Sequence, residues 1–337
     1  MELLTEVVAF AAKALIIVGL VATLGLIVAR GAVSSGEAEA PPPLKIRPLN
    51  RHLRERAERI KVEITPAPHR KALQQSLRRQ YKDEAKAPGG QPARPRLFVL
   101  DFEGDLRASA VTSLREEITA LLQVAGSGDE IVVRLESPGG MVHSYGLAAS
   151  QLARIRKRGI RLTVVVDKVA ASGGYMMACV ADRIIAAPFA IIGSIGVVLQ
   201  MPNFHRFLKG KDIDFELLTA GEHKRTLTLF GENSEPARAK AMEELEDTHT
   251  LFKAFIGQHR PQLDVDRVAN GEHWFGSRAL DLGLVDELLT SDDYLLQRME
   301  THDVFQLYQH RPKPLMQRIA DRMSSALQLA ALFRSRA

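Results

Sequence analysis

The chain has 337 residues but only one cysteine, Cys179, so no disulfide can form within it. Small and apolar residues surround Cys179 in the sequence, and we expect a buried hydrophobic side chain rather than a reactive thiol. The sequence also lacks a recognisable nucleic-acid-binding motif, although its net charge is +5. A disulfide-stapled scaffold is therefore excluded, and we expect no nucleic-acid partner.

Long apolar runs are scarce as well, with one exception near the N-terminus. Residues 7–29 form a run of 23 residues in which Lys13 carries the only charge, and a bilayer core requires about 20. Glu2 and Glu6 stand where a cleaved signal peptide would carry basic residues. We therefore predict an uncleaved transmembrane helix as a membrane anchor within residues 1–30, with the lipid bilayer as a partner.

The positive charge is concentrated in the segment that follows. Residues 41–96 hold 15 Lys/Arg and 5 Asp/Glu, a net charge of +10, whereas residues 1–40 carry −2 and the remainder −3. We predict a basic, proline-containing linker over 31–96. Its central part, residues 51–79, has the composition of a solvated helix or of a surface that lies on anionic lipid headgroups.

Alternating apolar strands and amphipathic helices predict an α/β domain with a largely parallel sheet over 97–290. The predicted strands are 97–102, 131–136, 162–167, 184–187, 195–200 and 214–218, and the predicted helices are 108–124, 142–157, 173–180, 235–259 and 276–283. Residues 291–337 are predicted to form a C-terminal tail with an amphipathic helix beyond Pro314.

The chemistry is predicted at Ser172, which stands between a strand and a helix in the pattern A-x-S-x-G. Small neighbours allow the sharp turn that presents a nucleophilic hydroxyl, and the amide of Gly173 would then face an oxyanion. A serine that merely caps the helix is the alternative. Upstream, residues 137–140 (Ser-Pro-Gly-Gly) follow a buried strand, and the amide of Gly140 is a candidate second oxyanion donor, with a plain tight turn as the alternative.

A nucleophilic serine also requires a base. Histidines of the domain are candidates, among them His143, His205, His223 and His273. A lysine is the other candidate, and it must be neutral, which requires burial to lower its pKa from about 10.4. Lys224 precedes apolar residues that could desolvate it, although a surface lysine is the simpler interpretation.

Together these segments resemble the signal peptide peptidase A family. The matching stretches are residues 136–140, 171–175, 181–186 and 192–197, and the similarity continues through 221–230. The resemblance implies a Clp-protease/crotonase-like fold of repeated β-β-α units. It also implies a location in the bacterial inner membrane and cleavage of membrane-associated or signal peptides without any cofactor or metal. The side of the membrane that carries the protease domain stays open.

The resemblance also implies a role for each site residue. Ser172 is the nucleophile, Lys224 the general base and Ser194 the residue that orients the lysine, while the amides of Gly140 and Gly173 hold the oxyanion. Family members with one catalytic domain form ring-like homo-oligomers in which neighbouring subunits supply the serine and the lysine. A stomatin-like membrane partner is compatible with this assignment. His223 precedes the lysine, and whether it joins the chemistry or only lines the site is left open.

Two other functions remain compatible with the sequence. A crotonase-type acyl-CoA enzyme would also use a Gly-Gly turn, but it would explain neither the predicted anchor nor Ser172 at a helix start. A non-catalytic membrane scaffold would keep the fold without needing the serine or the lysine.

Overall fold

The structure, a computed structural model, describes residues 43–86, 94–221 and 223–309. The predicted anchor and the predicted C-terminal amphipathic helix lie outside these residues. Among the helices within these ranges, none is long and apolar enough to cross a membrane.

The described residues form ten strands and ten helices. The strands are β1 (Leu44–Pro48), β2 (Arg96–Glu103), β3 (Glu130–Glu136), β4 (Arg161–Val166), β5 (Val169–Ala171), β6 (Arg183–Ala186), β7 (Ile191–Gly193), β8 (His273–Phe275), β9 (Glu287–Leu288) and β10 (Asp303–Gln309). The helices are α1 (Leu49–Ile64), α2 (Ala67–Lys86), α3 (Val111–Leu121), α4 (Val142–Lys157), α5 (Gly173–Ala178), α6 (His205–Lys209), α7 (Glu235–His259), α8 (Val265–Val268), α9 (Gly276–Asp281) and α10 (Ser291–Met299).

A seven-stranded sheet in the order β1-β10-β2-β3-β4-β6-β9 forms the centre of the domain. All neighbours pair in parallel except β1 and β10. Alternate residues of the central strands enter two separate cores, as the two-residue period of a strand requires. On one face, Leu100 and Val133 pack with residues of α3 and α4. On the other, Val99 and Val132 pack under α10.

A smaller sheet, β5-β7-β8, stands at the carboxyl end of the larger one. The chain leaves β4, forms β5 after two residues and then enters α5, so that strand, strand and helix follow one another. Ser137, the residue after β3, bridges to Ala170 of β5 and links the two sheets. The prediction of a mixed α/β domain is thus confirmed, and the carboxyl ends of the central strands meet beside β5.

Two of the predicted strands are wrong. Residues 195–200 are irregular, because the strand occurs earlier, as β7, and ends at Gly193, just before Ser194, whose φ is +51°. Residues 214–218 are irregular and exposed. Their alternating apolar pattern has strand propensity, but among the described residues no neighbouring strand pairs with them, and such propensity depends on pairing.

The larger sheet also draws on residues outside the predicted 97–290 range. β10 continues it beyond β2, and β1 covers the edge of β10. The side chain of Asn50 in α1 donates to the carbonyls of Met299 and His302 and accepts from the amide of Val304. The helical composition of the basic segment is confirmed by α1 and α2, which break at Thr65-Pro66, where proline disfavours a continuing helix.

Candidate active site at Ser172

Ser172 occupies a sharp turn between β5 and α5. Its backbone has φ = 52° and ψ = −118°, a region that non-glycine residues rarely adopt and that costs about 1–3 kcal/mol. The amide of Ser172 donates to the carbonyl of Gly193 over 2.8 Å, and its carbonyl accepts from the amide of Met176. The neighbouring strand β7 and the first turn of α5 therefore hold this conformation in place.

The hydroxyl of Ser172 does not cap the helix that it precedes. No cap hydrogen bond joins its side chain to α5, and its φ and ψ lie outside the extended region of ordinary N-cap residues. By contrast, Ser234 and Thr290 each accept a hydrogen bond from a first-turn amide of their helices. Among the described residues the Ser172 hydroxyl has no hydrogen-bond partner, and the residue is half-exposed. The cap interpretation is therefore wrong, and the hydroxyl is available for chemistry.

The Gly-Gly turn at 139–140 packs directly against this serine. Gly139 is buried with φ = +91°, and a β-carbon there would lie 2.7 Å from both the Ala171 carbonyl oxygen and the Ser172 β-carbon. It would also lie 2.9 Å from the amide nitrogen of Gly173. Only glycine permits this approach, so the turn is a wall of the Ser172 site rather than an isolated loop.

Two amides near Ser172 are available as oxyanion donors. Gly173 is the first residue of α5, and the amides of a first helical turn have no acceptor within their helix. In the opposite turn, the amide of Gly139 donates to Ser137 Oγ and that of Met141 to the Leu106 carbonyl. The amide of Gly140 between them has no acceptor among the described residues. The two sequence-predicted donors, the amides of Gly140 and Gly173, thus have no acceptor among the described residues.

A buried chain of hydroxyls fixes the Gly-Gly turn, and the sequence analysis missed it. Ser137 Oγ lies 2.6 Å from Tyr145 Oη, which donates to the Asp105 carbonyl. Because the tyrosine proton is used there, Ser137 donates to Tyr145 and accepts from the amide of Gly139. A β-carbon on Gly173 would lie 2.4 Å from the Tyr145 ring, so Tyr145 supports both sides of the site. In the sequence, the one indication of this role was the position of Tyr145 near the start of α4, a few residues after the Gly-Gly turn.

Ser194 lies beside Ser172 at the end of the adjacent strand. β5 and β7 pair in parallel with Ala171 opposite Gly193, so the two serines follow at equivalent positions, about 5 Å apart in backbone spacing. Ser194 also has a positive φ of 51°, and its amide donates to the Glu272 carbonyl over 2.6 Å. The structure therefore places these two predicted site residues together.

Lys224 is not brought to Ser172 within the single chain. It lies in an exposed turn in which its amide donates to the Gly221 carbonyl, and no side-chain hydrogen bond joins it to either serine in the described part of the chain. His223 is exposed beside it. His273 is closer to the site in the fold, because it pairs with Gly193 across β7 and β8, but it too is exposed.

Two titratable side chains that follow Ser172, Tyr175 and Cys179, are fully buried. Burial raises the pKa of the Cys179 thiol and that of the Tyr175 hydroxyl, which donates to the Leu284 carbonyl. The expectation of a buried cysteine side chain is confirmed. Within residues 43–86, 94–221 and 223–309 no group of His, Cys, Asp or Glu side chains is arranged to hold a metal ion.

Comparison with known proteins gives the family. A model of peptidase family S49 matches residues 154–304, and a model of the family's N-terminal region matches residues 2–152. The probable protease SohB of Haemophilus influenzae is 59% identical over 222 residues, 66% of this chain and 63% of that protein. The probable protease SohB of Buchnera aphidicola from Schlechtendalia chinensis is 59% identical over 204 residues, 60% of this chain and 67% of that protein.

Solved structures add only a distant likeness. A mutant of the 1510-N membrane-bound stomatin-specific protease in complex with a substrate peptide aligns with a TM-score of 0.45 at 16% identity, over 68% of this chain and 100% of that chain. That similarity is too low to support an inference about this protein. The chain spans about 63% of the length of the Haemophilus protein. The resemblance drawn from the motifs is confirmed at the level of the family: the chain belongs to peptidase family S49.

Proposed function

We propose that the protein is a membrane-anchored serine endopeptidase in which Ser172 is the nucleophile and Lys224 the general base. Ser172 Oγ attacks the scissile carbonyl carbon while its proton passes to Lys224 Nζ. The amides of Gly140 and Gly173 bind the oxyanion. The C–N bond then breaks as Lys224 returns the proton to the leaving amine, and water hydrolyses the acyl-enzyme.

One observation carries this proposal: the hydroxyl of Ser172 is presented on a strained strand-to-helix turn and is not used as a helix cap. Strain at a non-glycine residue persists only where the surrounding structure holds it, and such residues cluster at active sites. The Clp-protease/crotonase-like arrangement of β-β-α units is part of the same proposal, supported by the succession of β4, β5 and α5.

The lysine is proposed to come from a neighbouring copy of the chain. A lysine acts as a base only where it is desolvated, and Lys224 is exposed in the single chain. Residues that precede it closely in the sequence expose further apolar surface, including Leu217 at 46% and Leu218 at 93%. A ring-like homo-oligomer would cover this surface and bring Lys224 to the Ser172 of the next subunit, with Ser194 orienting it.

Mixing two inactive variants tests this arrangement. We expect Ser172→Ala and Lys224→Ala each to abolish peptide cleavage. Co-assembled in equal amounts, they should recover about a quarter of the wild-type activity, because half of the subunits keep Ser172 and half of their neighbours keep Lys224. A mixture that stays inactive, although the mixed oligomer forms, would place both residues in one subunit. Full activity of Lys224→Ala alone would refute the dyad and point to His223 or His273.

The substrate and location are proposed from the sequence. The apolar run at 7–29 and the motif resemblance support an inner-membrane protein that cuts membrane-associated or signal peptides. The proposal of a stomatin-like membrane partner is supported by the motif resemblance alone. A crotonase-type acyl-CoA enzyme and a non-catalytic scaffold are the alternatives, and labelling of Ser172 by a fluorophosphonate probe distinguishes both from a peptidase, since neither requires a nucleophilic serine.

A further inference from the structure

The helices α1 and α2 form a strongly basic pair, here called the helical hairpin (Leu49–Lys86). It holds 11 Lys/Arg and 5 Asp/Glu, so its net charge is 11 − 5 = +6. α1 has no buried residue. The proposed peptidase chemistry uses none of these residues, and a packed domain does not need so much exposed positive charge.

The charges of the hairpin are segregated. All three carboxylates of residues 49–80, Glu55, Glu58 and Glu63, line the cleft between α1 and α2. There Glu55 pairs with Arg51 at 2.8 Å, and Glu63 approaches Arg70 at 3.8 Å. The hydrogen bond from Arg51 lowers the pKa of Glu55. The charged residues of 49–80 that do not line this cleft are therefore all basic, although the side chain of Glu63 is itself 80% exposed.

An exposed apolar stripe runs along the outward side of α1. Leu53, Ala57, Ile60 and Ile64 follow at spacings of four, three and four residues, which places them on one face of a helix. Leu53 is 38% exposed, Ile60 62% and Ile64 76%. Arg56 and Lys61 flank the stripe on its two sides and are exposed. Apolar side chains edged by cations are typical of a helix that lies in the headgroup region of a membrane.

We propose that the helical hairpin binds the surface of a bilayer containing anionic lipids. Each basic side chain gains attraction from such a surface, and the apolar stripe gains burial at the boundary of the acyl chains. A second copy of the hairpin would instead bring like charges together, which opposes association. The apolar run of the predicted anchor ends at Ala29, and residues 30–43 separate it from β1. Such a connection spans at most about 50 Å, which keeps the hairpin within reach of the bilayer.

The contact would also orient the catalytic domain. α1 begins next to the first residues of β10, at the amino edge of the parallel sheet. Ser172 lies past the carboxyl edge, beyond β4 and β5. The strands that separate these edges have seven or eight residues, or about 25 Å. Binding through the hairpin would therefore leave the serine on the side of the sheet away from the point of attachment.

A fluorophore placed on the stripe tests the proposal in the full chain reconstituted into vesicles. Ala57→Cys provides the attachment point, because the natural cysteine, Cys179, is fully buried. Quenching by a spin-labelled lipid should rise at least about threefold when about a third of a phosphatidylcholine bilayer is replaced by phosphatidylglycerol. It should fall back at about 0.5 M salt, which screens surface charge. The predicted anchor is the same in both vesicles, so the difference reports the hairpin.

Two sets of four neutral substitutions provide the matched comparison. The hairpin set, Arg56→Gln, Lys61→Gln, Lys71→Gln and Arg79→Gln, should remove the response to phosphatidylglycerol. The control set, Arg158→Gln, Arg161→Gln, Arg267→Gln and Arg278→Gln, removes as many exposed charges elsewhere and should retain it. Fluorophosphonate labelling of Ser172 should continue in both sets and shows that they are folded.

Three results would overturn the proposal. The first is equal quenching with and without phosphatidylglycerol. The second is a response that survives in the hairpin set. The third is crosslinking of Ala57→Cys between copies at the same yield in detergent and in either lipid, which would make the stripe a contact between subunits.

Discussion

Replacing Gly139 by alanine should impair the Ser172 site more than it impairs the fold. The new β-carbon would meet the Ala171 carbonyl oxygen and the Ser172 β-carbon at 2.7 Å and the Gly173 amide nitrogen at 2.9 Å. Two of these atoms belong to the backbone of the serine turn, so the turn itself must move. The substitution also places a side chain at φ = +91°.

The expected loss of stability in Gly139→Ala has two contributions. An L-residue at positive φ costs about 1–2 kcal/mol, and overpacking of a buried site costs about 1–3 kcal/mol. The free energy of unfolding should therefore fall by about 2–5 kcal/mol. Displacement of the Gly173 amide from the oxyanion position should lower the rate of cleavage by about 10²–10³-fold, the effect of losing one donor.

Two other glycines isolate the contributions. Gly159 has φ = +69° but nothing within 4 Å of its added β-carbon, so Gly159→Ala reports the backbone strain alone. Gly128 has neither a positive φ nor a neighbour within 4 Å. In urea unfolding, the free energy of unfolding should be lowest for Gly139→Ala, intermediate for Gly159→Ala and highest for Gly128→Ala. Fluorophosphonate labelling of Ser172 should slow only in Gly139→Ala. Labelling of folded Gly139→Ala at the wild-type rate would refute the role assigned to this contact.

Two further predictions concern buried polar groups. Ser137→Ala and Tyr145→Phe should each lower the free energy of unfolding by about 1–3 kcal/mol. In a double-mutant cycle measured by urea denaturation, the two substitutions should show a coupling energy of about 0.5–3 kcal/mol. Additive losses would contradict the shared hydrogen-bond chain. Burial, with Asp101 and Glu116 nearby, raises the pKa of Glu117 to about 7. Because this pKa is raised above its unfolded value, the stabilisation from the protonated carboxyl is fully present below about pH 4.5 and is lost as the pH rises through 7. Glu117→Gln should then flatten the pH dependence and gain up to about 3 kcal/mol over wild type at pH 8, whereas an unchanged slope between pH 5 and 8 would exclude Glu117 as its source.

The elements predicted correctly from the sequence are those marked by a local pattern of residues. Strands such as β3 are continuous apolar runs, and α4 is delimited by the Gly-Gly turn before it and Gly159 after it. The strand-to-helix transition at Ser172 was readable because small residues surround it. β1 and β10 were not predicted as strands, because they pair with one another across more than 250 residues and β1 has exposed side chains. Local patterns do not report such pairing.

The site shows the same division between local and distant information. Ser172 and the amides of Gly140 and Gly173 were predicted, because each depends on the residues next to it in the chain. The Ser137–Tyr145 pair was missed, because serine and tyrosine are common in any helix–turn region and only burial gives them meaning. Lys224 depends on still more distant information: a single chain leaves it exposed, and its proposed role needs a surface that the chain alone does not supply.

The hydrogen bonds that hold the Ser172 turn come mainly from the backbone. The amide of Ser172 donates to Gly193, that of Ser194 to Glu272, and that of Ala171 to Ser137. Each acceptor is a main-chain carbonyl, so the geometry of the two strained serines depends on the pairing of β5, β7 and β8 rather than on the identity of nearby side chains. Side-chain substitutions that preserve these strands should leave the serine presented, whereas changes that shift the backbone, as at Gly139, should not. The serine was therefore readable from its neighbours, while its strained conformation follows from strand pairing that a linear pattern does not contain.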